Sequence, residues 1–126
     1  MDIKDGGASN GTAIQLHDKT GAESQKWIIE DNGYITNPAT GKVVDIQGGG
    51  TSNSTGIHLW DKTGDWNQKW TLEKDGYITN PRTGKVLDIR GGGNGNGTAI
   101  QLFDKAGVWN QKWVFKEWPN PPPKVR

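Results

Sequence analysis

An all-β fold made from one small unit used three times is what this chain predicts, on three observations. The tripeptide Gln-Lys-Trp occurs at 25–27, 68–70 and 111–113, each copy 43 residues after the last. Asp2, Asp45 and Asp88 keep the same step, as do Ile14, Ile57 and Ile100, Leu16, Leu59 and Leu102, and Asp18, Asp61 and Asp104. Between these anchors lie short alternating runs and many glycines, 19 in 126 residues, with no helical period. A fixed internal period decides the architecture before any local reading does. Short runs bounded by turn residues read as strands.

The middle unit gives the elements in order. Lys42-Val43-Val44-Asp45-Ile46 is a β-branched run stopped by Gly48-Gly49-Gly50. Gly56-Ile57-His58-Leu59-Trp60 alternates with the period of a half-buried strand. Asp61-Lys62-Thr63-Gly64 reads as a turn, and Gln68-Lys69-Trp70-Thr71-Leu72-Glu73 as a third strand with Trp70 and Leu72 on one face. Asp75-Gly76 is a hairpin signal, Tyr77-Ile78-Thr79 the return strand, and Asn80-Pro81 with Thr83-Gly84 a further turn. Four short strands per unit and three units are closed most economically as a three-fold pseudosymmetric antiparallel barrel capped by hairpins, a β-trefoil. Closure removes the sheet edges that isolated hairpins would expose. The expectation is one domain over residues 1–126, with units at about 2–44, 45–87 and 88–126.

Composition narrows the function. A chain of 126 residues buries a modest core, and a hydrophobic share of 31% suits short strands and many turns. Seven tryptophans at regular positions argue against disorder, which would share the low hydrophobicity. Net charge is +1, with the charges spread along the chain, so nucleic acid is not an expected partner. Cysteine is absent, which removes disulfide, zinc-thiolate and Cys-nucleophile chemistry. No apolar run approaches a membrane span, and Met1-Asp2-Ile3-Lys4 is not a signal peptide, so no membrane insertion is expected. The localisation expected is cytoplasmic, or that of a larger protein from which the domain is cut, a secreted one included.

The triplicated Gln-x-Trp, each copy preceded by an Asp-Ile run and an Ile-x-Leu-aromatic strand, resembles the ricin B-chain-like lectins over nearly the whole chain. Many members of that family pair cysteines; this sequence has none. The resemblance implies a galactose pocket made by the Asp after the first Val/Leu, the aromatic after Gln-Leu, and the Asn before Gln-x-Trp. In the second unit these fall on Asp45, Trp60 and Asn67, with His58 at an auxiliary polar place and Gln68 beside them. The chemistry agrees: an aromatic plane meets the C–H face of a sugar, a carboxylate accepts hydroxyl protons, and an amide both donates and accepts. The plainer reading makes Asp45 a turn cap and Trp60 a packed strand residue.

The third unit offers Asp88, Gln101, Phe103, Asn110 and Gln111, with a smaller ring at the stacking place. The first offers Asp2, Gln15, His17 and Gln25, with Ser24 where the others have an amide. Trp27, Trp70 and Trp113 are expected to fill the barrel about its pseudo-axis, since an indole buries a large apolar area. The glutamines beside them hold the loop. Trp66 and Trp109 either widen the stacking surface or fold back on the barrel. Gly48-Gly49-Gly50 and Gly91-Gly92-Gly93 read as tight loops, because no helix or Gly-Lys-Thr follows them.

The chain begins almost at the Asp of the second strand of a unit. Two readings stand for its far end: residues 118–126 replace the missing strand of a permuted chain, with Trp118 in the place of Ile78, or residues 119–126 form an extended Pro-rich linker. No nucleophile, base and orienting group recur together, and the repeated carboxylates are not an opposed pair across one bond. A non-enzymatic glycan binder without cofactor or metal, galactosides first among its ligands, is therefore the expectation; a protein-interaction trefoil with vestigial sites is the competitor.

Overall fold

Runs of Ile, Val and Leu interrupted by glycine and Asn-Pro turns build only short strands, because each run ends after two to four residues. The computed structural model describes residues 1–114. The strands are β1 (Asp2–Ile3), β2 (Ile14–Gln15), β3 (Ile28–Ile29), β4 (Ile35–Thr36), β5 (Val43–Ile46), β6 (Ile57–Trp60), β7 (Thr71–Leu72), β8 (Ile78–Thr79), β9 (Val86–Ile89) and β10 (Ile100–Phe103). They pair antiparallel as β1-β2, β3-β4-β5-β6 and β7-β8-β9-β10. The repeat is visible in the register: Asp2 faces Gln15, Asp45 faces His58, and Asp88 faces Gln101.

The three units close into a ring through β2, β6 and β10. Bridges join Ala13 to His58, Gly56 to Gln101, and Gln15 to Ala99. Gly11 N–H donates to the Leu59 carbonyl at 2.8 Å, Ser54 N–H to Leu102 at 2.7 Å, and Gly97 N–H to Leu16 at 2.8 Å. The ring interior is apolar: Ile14, Ile57 and Ile100 share one buried cluster with Ile35, Ile78, Val44, Leu87 and Leu102. This is the β-trefoil that the period predicts.

The hairpins dock each unit on the next. Gly76 stands at φ +100°, where a side chain is strained, and its carbonyl accepts from Trp113 N–H at 2.8 Å. Gly33 repeats this against Trp70, at φ +99° and 2.9 Å. The Gly48 and Gly91 runs are tight 3-10 turns, with φ of +60° and +63°, as read from the sequence.

Two details differ from the sequence reading. The third strand of a unit is shorter than expected, because Gln68 belongs to a 3-10 turn (Trp66–Gln68) and only Thr71–Leu72 pairs. The Gln-x-Trp indoles belong to the core as expected, but they are not equally buried. Trp70 is buried while Trp27 and Trp113 are half-buried, all three packing against an Ile/Leu/Val cluster. Strand replacement by residues 118–126 lies outside the described residues.

Candidate functional site

The register of the long hairpins puts a carboxylate opposite a polar side chain once per unit, and the following 3-10 turn brings up two more. In the second unit His58 Nε2 donates to Asp45 Oδ1 at 2.7 Å, while Asn67 Nδ2 and Gln68 Nε2 donate to Oδ2 at 3.3 and 2.9 Å. In the third, Gln101 Nε2 donates to Asp88 Oδ1 at 2.9 Å, and Asn110 and Gln111 donate to Oδ2 at 3.3 and 2.9 Å. In the first, Gln15 donates to Asp2 Oδ2 at 3.0 Å and Ser24 Oγ to Oδ1 at 2.9 Å. Gln25 keeps the backbone bonds of its repeats, its Oε1 accepting from Thr20 N–H at 2.8 Å and its Nε2 donating to the Asp18 carbonyl at 2.7 Å, but adds no bond to Asp2. The first carboxylate thus has two of these donors where the others have three.

These donors are held from behind. The Oε1 atoms of Gln68 and Gln111 accept from Thr63 and Ala106 N–H at 2.8 and 2.7 Å, and their Nε2 atoms also reach the Asp61 and Asp104 carbonyls. Buried Asn80, from the Asn-Pro turn, donates to the Trp66 and Lys69 carbonyls and so fixes the turn that carries Asn67 and Gln68. Asn37 does the same for Ser24 and Gln25 through the carbonyls of Glu23 and Lys26. The Trp70 indole N–H donates to the Val44 carbonyl, immediately before Asp45, and Trp113 donates to Leu87, immediately before Asp88. The Gln-x-Trp motif is therefore a brace for the carboxylate loop.

The rims differ between units. Trp60 is 37% exposed, and its ring stacks on His58 with centroids 5.2 Å apart and planes at 24°. Imidazole and indole make one continuous face that reaches down to Asp45. In the third unit Phe103 is half-buried and borders an open depression of about 600 Å³, lined also by Asp88, Arg90, Gln101, Val108 and Asn110. In the first unit His17 is exposed, with Nδ1 3.3 Å from the Asp18 carbonyl, and no contact joins it to Asp2. Trp66 packs back on the core with the Arg82 guanidinium 5.3 Å over its ring, whereas Trp109 is exposed.

Several residues were not read as part of the site although the period marks them. Asn37 and Asn80 brace the site turns, and Asn10, Asn53 and Asn96 bridge units at the same 43-residue step. Arg90 carries no such mark, because Lys4 and Gln47 stand in its place in the other units. Among the described residues no cluster of His, Asp and Glu could hold a metal ion, and no helix is long and apolar enough to cross a membrane.

Three copies of a carboxylate at a fixed step on a β-trefoil, two of them beside an aromatic ring, define a class of repeat-built trefoil domains with shallow polar sites. The chain belongs to the ricin-type β-trefoil lectin domain family, whose model matches residues 1–113; this is a carbohydrate-binding fold. Comparison with the curated proteins finds no match. Among solved structures, the designed three-fold symmetric protein ThreeFoil is 24% identical with a TM-score of 0.82, over 90% of this chain and 86% of that one. The exo-β-1,3-galactanase 1,3Gal43A from Clostridium thermocellum is 31% identical with a TM-score of 0.80, over 89% of this chain but 26% of the galactanase. The C-terminal half of an earthworm R-type lectin, solved with GalNAc, is 21% identical with a TM-score of 0.76, over 90% of this chain and 85% of that half.

Proposed function

We propose that this chain is a single lectin domain that binds galactose or N-acetylgalactosamine-type glycans through up to three shallow sites, one per unit. The observation that carries this is the recurrence of one constellation: Asp45, His58, Trp60, Asn67 and Gln68, then Asp88, Gln101, Phe103, Asn110 and Gln111. A carboxylate has about four lone-pair positions. Asp45 and Asp88 each accept three internal bonds, which leaves about one for a sugar hydroxyl beside an aromatic plane. The first unit, with Asp2, Gln15, His17 and Gln25, is the weakest candidate, since His17 makes its hydrogen bond with the Asp18 carbonyl and Gln25 adds none to Asp2. The 31% identity to an exo-β-1,3-galactanase supports a galactoside as ligand and an accessory, glycan-targeting role within a larger hydrolase or toxin.

The test is a glycan array followed by calorimetry on Trp60→Ala and Phe103→Ala, singly and together. These rim residues are chosen because the rings touch solvent, so their loss spares the buried network. Each single change should weaken galactoside binding several-fold and the pair should abolish it. Undiminished binding by a folded double variant removes the proposed pockets.

A second reading, a structural or protein-interaction trefoil, is favoured by one observation: the three carboxylates are only 4–6% exposed and already bonded from within. Binding to no glycan on the array, together with capture of a defined protein partner, would select it.

A further inference from the structure

The third-unit depression carries a guanidinium that neither of its repeats has. Arg90 lines it together with Asp88, and the other lining residues are neutral. The equivalent place holds the neutral Gln47 in the second unit and Lys4 in the first, so the period does not require a cation there, and the planar guanidinium is the third unit's own. Arg90 is also oriented: its Nε donates to Gln101 Oε1 at 3.0 Å, and Gln101 Nε2 donates in turn to Asp88 Oδ1 at 2.9 Å. The chain from Asp88 through Gln101 to Arg90 anchors one edge of the guanidinium to the site floor. Its terminal N–H groups have no carboxylate partner among the described residues, because the ion pairs of this region are Lys85 with Asp104 and Lys105 with Glu73. A planar guanidinium held by one edge presents a donor pair suited to a carboxylate or sulfate.

We propose that the third site prefers a galactose-type ring carrying an anionic group, with Arg90 as the counter-ion. This rests on the sugar-site reading above and specifies its ligand class. The neutral ring would lie against Phe103 and share the remaining acceptor position of Asp88, while the acidic substituent meets the Arg90 edge. The anion could be the carboxylate of a uronic acid or a sulfate ester, which share the geometry that a guanidinium recognises.

The experiment titrates the full chain with methyl galactoside, methyl galacturonoside and galactose 6-sulfate. The side-chain amide NMR signals of Gln101 and Asn110 are followed, because they report this unit alone. At low salt the better acidic sugar should bind about three- to ten-fold more tightly than the neutral one, an advantage that shrinks as ionic strength rises. Arg90→Gln, which installs the second unit's residue, should bring that ratio to about one, and Arg90→Lys should keep part of it. A gain confined to the uronoside or to the sulfate names the source of the anion, and either supports the proposal. Equal affinities in the parent chain, or a preference that survives Arg90→Gln, overturn it while leaving the neutral sugar site standing. If no sugar moves these two signals, the third pocket itself fails.

Discussion

At the residue scale, the carboxylates serve structure and recognition together. Asp88 takes the amide protons of Gln101, Asn110 and Gln111, all of them buried. Among the described residues no buried side-chain nitrogen or oxygen lacks a partner. Asp88→Ala would leave these donors without their acceptor, and buried unsatisfied polar groups cost about 1–3 kcal/mol. We expect that loss in chemical denaturation, with Asp45→Ala similar and Asp2→Ala smaller because only Gln15 and Ser24 depend on Asp2. Equal losses at all three positions would contradict the ranking. Phe103→Ala, at the half-exposed rim, should cost much less stability than Asp88→Ala while affecting binding more. The split between the two readouts separates the floor of the site from its walls.

At the element scale, the turns are cross-linked between neighbouring units by one repeated device. Asn10, Asn53 and Asn96 donate through Nδ2 to Asp61, Asp104 and Asp18, each at 3.1 Å, and so bracket all three junctions. Lys42 and Lys85 add ion pairs to Asp61 and Asp104 at 2.6 Å. Hydrogen bonds from these lysines first, and from Asn10 and Asn53 second, hold both carboxyls below the ordinary carboxylate value. A folded value below the unfolded one means that the stabilisation is fully present above the unfolded value, about pH 4, and is lost as pH falls through the lower folded value. The thermal midpoint should therefore drop as pH falls below about 4, and Lys42→Met with Lys85→Met should flatten that part of the profile. Both carboxyls face solvent, so the effect should also weaken with added salt. An unchanged acid profile in the double variant would remove these pairs from the account.

At the scale of the whole molecule, the three-fold ring spaces its candidate sites outward, one on each unit. A single shallow site bonded mostly to its own protein should hold a monosaccharide weakly. Two or three sites engaging one clustered surface can raise the apparent affinity by roughly 10²–10⁴-fold. Binding to a densely galactosylated surface should exceed binding to the free sugar by that order. The Trp60→Ala, Phe103→Ala double variant should lose the enhancement, whereas equal apparent affinities for surface and free sugar would mean that one site acts alone.

The β-trefoil was legible in the 43-residue period, because a repeated unit must repeat its pairing and its buried positions, and the carboxylate constellation in the resemblance to ricin B-chain-like lectins; the register was not read. Asp2, Asp45 and Asp88 could be placed from that period, and so could the brace role of the glutamines beside Gln-x-Trp. The period does not specify what each copy does where its residues diverge. His58 stacks under Trp60 two residues along its own strand, Gln25 adds no bond to Asp2, Trp66 folds beneath Arg82, and Arg90 is tethered to Gln101 across the hairpin; each depends on which side chains the fold brings together. Local pattern fixes which backbone positions are equivalent, since hydrogen-bond pairing follows the repeat. The character of each site was decided by tertiary contact, because burial, charge and ring stacking are set by which side chains meet across the closed ring.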